Sequence, residues 1–394
     1  MMAVRFGIDV WVKQRFRALK GLRVGAIVNP TSVDASFRHL VDLIHEADGV
    51  TLGALFGPEH GIRGEAQYMV AVGDVARDRR TGVPVYSLYG STFESLSPKA
   101  EWLKGLDALV FDIQDVGARY YTYIYTMALS MKAAAKARVP FFVLDRPNPI
   151  GLDLVQGNLV GKRYRSFVGL YQLPTRHGMS AGEIAQLLNA RERFGCELTV
   201  VPCEGLKRSM SWGQVGRDFI SPSPNMPTPA TALVYPGMCL GEGTNVSEGR
   251  GTCRPFEQFG APWLSSHDVA EQLNALDLRG VTFRPCSFTP TFDKFKGESC
   301  EGAFLHVTDP RTFDPFVTGI AVFQTCRALG GRDFAWRADA YEFVDDIPAF
   351  DLLCGTAKVR QGIEGGWSLA RIVAGFQDEL RPFLALRKQH LLYG

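Results

Sequence analysis

The stretch LRVGAIVNPTSVDASFRHLVDLIHEADGVTLGALFG, residues 22–57, decides the fold. It opens on a short apolar run, residues 22–29, that stops at Asn29-Pro30. Phe37, Leu40, Val41 and Ile44 then recur at three-to-four spacing, which predicts a helix over residues 36–48. A second apolar run, residues 50–57, completes the unit. Strand, helix, strand, with near-continuously apolar strands, is the repeat of a parallel sheet covered by helices on both faces.

Outward from this unit the alternation continues. Residues 83–90 and 108–113 read as strands, 121–137 as a helix with an Ala-rich end, 140–146 as a strand, 181–193 as a helix and 197–203 as a sixth strand. No Gly-x-Gly-x-x-Gly follows the first strand, so the architecture is Rossmann-like without a dinucleotide fingerprint. Over residues 221–236 the texture changes: five prolines between Pro222 and Pro236 are expected to forbid regular structure over much of the segment. Beyond it, shorter strands (281–288, 303–307) mix with helices (316–329, 372–386). The fold class read from the sequence is therefore α/β. A mostly parallel, Rossmann-like domain is expected over residues 1–230, with a smaller α+β domain over 231–394.

Composition narrows the function classes. Among 394 residues, 46% are hydrophobic, ample for a packed core and incompatible with sustained disorder. Forty-three Lys+Arg against 41 Asp+Glu leave a net charge of +2, so the chain is not built around nucleic-acid electrostatics. The longest apolar stretches are of strand length, well short of the roughly 20 residues of a membrane span. Arg5, Asp9, Lys13, Arg15 and Arg17 interrupt any apolar signal region, so the expected compartment is the cytoplasm, or the periplasm or exterior if the chain is a trimmed form. All eight cysteines lie beyond residue 195 without a CxxC pair, which reads as reduced, mostly buried thiols. The histidines are dispersed and HExxH is missing, so no metal and no cofactor are expected.

In doubly wound sheets ligands bind beyond the carboxyl ends of the strands, and there the ionisable residues concentrate. GPEHGIRGE (57–65), DIQDVGARYYTY (112–123) and DRPNPIG (145–151) each follow a strand directly. Glu59, His60, Asp112, Asp115, Arg119, Asp145, Arg146 and Asn148 are therefore expected on one rim. RHGMS (176–180), with His177, opens a helix whose N–H groups favour anionic or polar ligands. The Gly-rich GEGTNVSEGRGT (241–252) brings Glu242, Asn245, Glu248 and Arg250 and is expected to act as a closing lid. No Gly-x-Ser-x-Gly elbow and no phosphate-binding loop are present. What remains is carboxylate acid/base chemistry, as in glycoside hydrolysis, with Tyr120, Tyr121, Tyr123, Arg119 and Asn148 suited to a sugar. An esterase or amidase, or a non-catalytic glycan-binding protein, are the alternatives.

Asn29-Pro30-Thr31, LFGPEHGIRG, VYSLYG, FDIQDVGARYYTYI, LDRPNPIG, RHGMS, PSPNMPT (with Asn225) and YPG.CL.EGTN.SEGRGT.RPFE together resemble the exo-β-N-acetylmuramidase (NamZ) family of bacterial cell-wall glycosidases. The resemblance runs from about Gly7 to the C-terminal LLYG. It implies a Rossmann-like domain joined to a smaller one, with the site between them. It also implies cofactor-free release of N-acetylmuramic acid from the non-reducing end of peptidoglycan fragments. On this resemblance Glu59 is the catalytic acid/base and His60 orients it or contacts the sugar. Asp115, Asp112, Glu248 and Glu242 stay open as the second catalytic group, alongside assistance by the substrate's own acetamido oxygen. The lactyl carboxylate calls for a cation, for which Arg63, Arg119, Arg146, Arg176 and Arg250 are candidates.

Overall fold

The structure, a computed structural model, describes residues 3–59, 61–62 and 75–394. Its first layer is a seven-stranded sheet in the order β3-β4-β2-β1-β5-β6-β9. The strands are β1 (Arg23–Val28), β2 (Thr51–Gly57), β3 (Val75–Arg77), β4 (Pro84–Ser87), β5 (Ala108–Asp112), β6 (Phe141–Leu144) and β9 (Leu198–Val201). All pairs are parallel except β3 with β4. Taking the six parallel strands in chain order, the sheet runs 3-2-1-4-5-6, the doubly wound dinucleotide-fold order with its switch point between β1 and β5. β1, β2 and β5 are buried along nearly their whole length, as their unbroken apolar runs require.

Two differences from the sequence reading have local causes. The helix read over 36–48 is confined to Leu40–His45. Asp34 accepts hydrogen bonds from the N–H groups of Ser36 and Arg38, and Phe37 takes a left-handed φ of 61°, so a side-chain-stabilised turn replaces the first helical turn. The proline-rich segment is not irregular throughout, because Pro229–Met238 is a helix. Pro229 occupies its first turn, where no intrahelical N–H is needed, and Pro236 falls near its end. The short edge strand β3 and the antiparallel pair β7 (Gln156–Leu159) and β8 (Pro174–Arg176) were not read from the sequence.

The second domain carries an antiparallel sheet, β10 (Gln258–Ala261), β12 (Cys300–Val307) and β11 (Val281–Phe288), with β12 central. The helices Ser266–Ala275 and Pro315–Gly330 pack with it. One apolar cluster runs unbroken from Ile27 to Phe383 and joins the two domains. A second, around Phe6, Trp11, Val24 and Val110, lies on the other face of the parallel sheet. All eight cysteines are free thiols, six of them buried. Among the described residues no helix is long and apolar enough to cross a membrane.

Candidate active site

The switch-point crevice between β1 and β5 is occupied by the chain itself. Asn29 and Thr31 follow β1, and the Asn29 amide donates to the Pro222 carbonyl. Thr31 Oγ1 accepts from Gln114 N–H, and Ser32 Oγ hydrogen-bonds the Asp112 carbonyl. Across the strand ends Arg146 grips Asp112 with two bonds, at 2.5 and 2.9 Å, both groups being buried. Burial pushes the Asp112 carboxyl up, and Arg146 pulls against it. This pair ties β5 to β6 rather than facing a ligand.

The other expected rim residues are also committed to the fold. Asp115 accepts from Gly117 N–H at 2.7 Å and lies 3.2 Å from His177 Nε2. His177 Nδ1 in turn accepts from Met179 N–H. Arg119, wholly buried, donates to the carbonyls of Asn158, Leu173 and Leu353. Asn148 donates to Met179 O and accepts from Ile150 N–H. Asn245 clasps Asp333 O and Ala335 N–H. Arg176 bonds Gln156 and the Ile150 carbonyl. Asp145 accepts from Ser180 and Tyr393. The expected single rim thus divides: these groups staple loops together, Arg146 also borders a small pocket with Thr31 and Gln114, and Glu59 lines a separate cleft. His60 and Arg63 lie outside the described residues.

That cleft holds about 540 Å³ of space between atoms, its open mouth included. Glu59 reaches it from the carboxyl end of β2 through Pro58. Thr122, at the start of the helix Tyr123–Ala137, donates to Glu59 Oε2 at 3.3 Å. Tyr123 donates to the Pro222 carbonyl at 2.7 Å, drawing the proline-rich segment against the sheet. One wall is aromatic: Tyr121 meets Tyr123 and Tyr235 edge-on at 5.0 and 5.8 Å, and Tyr235 meets Phe256 at 4.9 Å. Burial holds the Tyr121, Tyr123 and Tyr235 hydroxyls well above their ordinary pKa, so they remain neutral donors. Asn225 also lines the cleft.

The Gly-rich segment does not form a lid. Glu242, Glu248 and Arg250 are all buried, in a network that fastens the loop into the floor. Arg250 donates to Glu242 at 2.6 Å and to Glu248 at 3.1 Å, and Lys294 donates to Glu248 at 2.7 Å. Lys294 also donates to the carbonyls of Gly241 and Val246, and Arg250 lies over the Phe256 ring. So many donors inside one short loop demand charge partners, and the loop's carboxylates supply them. Glu242 and Arg250 border the cleft, whereas Glu248 faces inward. Burial would raise the Glu242 carboxyl, but Arg250 and the Tyr341 hydroxyl, at 2.5 Å, outweigh it and hold the carboxyl below its ordinary value.

A further carboxyl, Glu342, was not among the residues read from the sequence. It lies within AYEFVDD (340–346), where an acidic residue between two aromatics, followed by Asp345 and Asp346, is the whole signal. Tyr341 and Val344 exchange backbone hydrogen bonds around Glu342 and Phe343, whose φ values are 47° and 68°. This is the backbone of a mirror-image two-residue turn, usually Asn-Gly, and bulky residues there cost about 1–3 kcal/mol each. Phe343 anchors the turn edge-on against Phe93 and Phe167. Glu342 is buried at the cleft, and its Oε2 has no hydrogen-bond partner among the described residues. Burial, then the Glu59 and Glu242 carboxylates, push its carboxyl far above the ordinary range against a weaker pull from Arg337. Burial and the same three glutamates raise the neighbouring Tyr89 hydroxyl as well. Among the described residues no group of three His, Cys, Asp or Glu side chains is arranged to hold a metal ion.

Fold and site together define a two-domain Rossmann-like protein with an aromatic, carboxylate-rich cleft, the equipment of a glycoside hydrolase. Residues 24–230 match the N-terminal domain, and residues 233–393 the C-terminal domain, of the exo-β-N-acetylmuramidase NamZ family. The chain is 46% identical over 390 residues to the peptidoglycan β-N-acetylmuramidase NamZ of Bacillus subtilis strain 168, covering 99% of this chain and 91% of that one. Two crystal structures of DUF1343 family proteins from Bacteroides fragilis NCTC 9343 superpose over the whole chain. One has a TM-score of 0.90 at 36% identity and covers 100% of the Bacteroides chain; the other has 0.78 at 31% and covers 99%. The chain belongs to the exo-β-N-acetylmuramidase NamZ family.

Proposed function

We infer that this protein is an exo-β-N-acetylmuramidase, a glycoside hydrolase that removes N-acetylmuramic acid from the non-reducing end of peptidoglycan fragments. The observation that carries the reading is the Glu59 carboxyl opening on an aromatic-walled cleft in a chain of this family. In this reading the catalytic domain spans residues 1–230 and the domain over 231–394 supplies the opposite side of the cleft.

Glu59 is one member of the carboxyl pair that does the acid/base work. The Tyr121 and Tyr235 rings stack against the apolar face of the sugar, while tyrosine hydroxyls and Asn225 hydrogen-bond its polar edge. Glu242, kept ionised by Arg250 and Tyr341, places a fixed negative charge beside the cleft, suited to a sugar that becomes cationic as its glycosidic bond breaks. A thiol nucleophile, required by the cysteine version of an esterase or amidase, is disfavoured. Cys239, the cysteine beside Tyr235 and Glu242, is buried with its thiol pushed up, opposite to what thiolate chemistry needs.

The test is release of aryl alcohol from a chromogenic β-N-acetylmuramide, with the matching N-acetylglucosaminide as control. Wild type should cleave the first in preference. Glu59→Gln, folded by circular dichroism, should lose about 10²–10⁴-fold in kcat. A folded wild type that cleaves neither substrate sinks the reading.

A further inference from the structure

Three glutamates border the cleft, and their surroundings differ in kind. Glu242 is held ionised by Arg250 and Tyr341. Glu59 accepts from Thr122. Glu342 is buried with an oxygen that nothing among the described residues satisfies. A buried carboxyl oxygen without a partner is unusual and asks for a reason. Two left-handed non-glycine residues in succession are equally unusual, and they are what points Glu342 at the cleft. Strain and an unsatisfied carboxyl at one position, on the wall of the site, are the marks of a residue kept for chemistry.

We propose that Glu342 is a catalytic residue of this enzyme, the general acid that protonates the departing glycosidic oxygen. The proposal rests on the glycosidase reading above. The charged and titratable groups around Glu342 are Glu59, Glu242 with its partners Arg250 and Tyr341, Tyr89 and Arg337. Two carboxylates and a buried setting favour the neutral acid, and Arg337 is the opposing cation. A carboxyl that remains protonated near neutral pH is what a general acid requires. In the step, the Glu342 proton passes to the bridging oxygen as the bond from that oxygen to C1 of the muramyl ring breaks. The bonding electron pair leaves with the oxygen, which departs as the sugar hydroxyl, and Glu342 is left as a carboxylate. Water then delivers hydroxyl to C1; its proton passes to Glu342 directly, or to Glu59, which releases it to solvent while Glu342 takes one up, so the enzyme ends as it began. Glu59 becomes the partner of this acid: it receives the water proton or steadies the substrate's acetamido group.

A general acid matters only when the leaving group is a poor one, and that separates this role from a structural one. Glu342→Gln should lose about 10²–10⁴-fold in kcat/KM on the N-acetylmuramyl-β-1,4-N-acetylglucosamine disaccharide, whose leaving group needs the proton. On the 4-nitrophenyl β-N-acetylmuramide, whose phenolate leaves unaided, the loss should be about tenfold or less. The alkaline limb of the wild-type pH profile on the disaccharide should vanish in the variant. Glu342→Asp, which retracts the carboxyl by one methylene, should show the same split and serves if the glutamine variant does not fold. Equal losses on both substrates, or no loss on the disaccharide, overturn the role of Glu342. Failure of wild type on both substrates overturns the glycosidase reading instead.

Discussion

Glu342 shows how a single side chain can weaken a fold in the service of a site. A carboxyl whose pKa is raised by folding binds its proton more tightly in the folded chain than in the unfolded one. Below the unfolded value, near 4.5, the residue adds no penalty. As pH rises from there toward the folded value, the unfolded chain ionises while the folded one resists, and stability is lost. Glu342→Gln removes the titration and should raise the urea midpoint more at pH 8 than at pH 4.5. A gain independent of pH would show that the carboxyl is not held neutral. Arg250 works in the opposite sense, because its bonds to Glu242 and Glu248 make two buried charges tolerable. At this scale the sequence was partly legible. Glu59 was set apart only by the family resemblance of its GPEHG motif, whereas Asp112, Asp115 and Arg119, which follow a strand just as directly, turned out to hold loops together. A carboxylate that caps a loop and one that faces a substrate carry the same letter.

The helix Pro229–Met238 is the element that joins site and scaffold. Tyr235 on it lines the cleft, and the Pro236 carbonyl accepts from Tyr120. Its other contact is with the helix Pro315–Gly330, and the two backbones meet at glycines. A Cβ on Gly237 would stand 1.8 Å from the Pro315 carbonyl oxygen, and one on Gly319 would stand 2.3 Å from the Gly237 oxygen. Gly237→Ala must therefore push the helices apart, at a cost of about 1–3 kcal/mol. Because the same shift moves Tyr235, kcat/KM on the chromogenic muramide should fall together with the denaturant midpoint. A variant with wild-type stability and activity would refute this coupling. From sequence the prolines argued against a helix here. Pro229 is accommodated because it opens the helix, where no N–H is needed, whereas Pro236 lies inside it and gives up one backbone bond, a cost that only tertiary packing can offset.

Across the whole molecule, the C-terminus returns to the first domain and closes it. The helix Phe376–Arg387 packs on β7, and Arg387 donates to the Gly178 carbonyl. Leu392 N–H bonds Glu183, and the Tyr393 hydroxyl donates to Asp145 at 2.6 Å while accepting from Cys203 N–H. Burial raises the Asp145 carboxyl to about 6, against the hydrogen bonds of Ser180, Tyr393 and Gly182. Like Glu342, Asp145 therefore costs stability as pH climbs from its unfolded value to about 6, above which its buried charge depends fully on those donors. Tyr393→Phe removes one of them and should cost about 1–3 kcal/mol. The fall in melting temperature should be larger at pH 8 than at pH 5, and equal falls at the two pH values would contradict the account.

Sequence alone determined the mostly parallel sheet, the smaller α+β second domain and the family, because each rests on local patterns. Apolar runs of strand length, helical spacing between them and long unusual motifs are all contiguous in the chain. Only the tertiary structure decided which ionisable residues face the cleft. Glu59, Glu242 and Glu342 come from three separate parts of the chain, and Arg146, Arg119 and His177 were taken by partners up to 234 residues away. Burial and pairing, which turn one glutamate into an acid and another into a fixed charge, are properties of neighbours in space, and no stretch of sequence holds them.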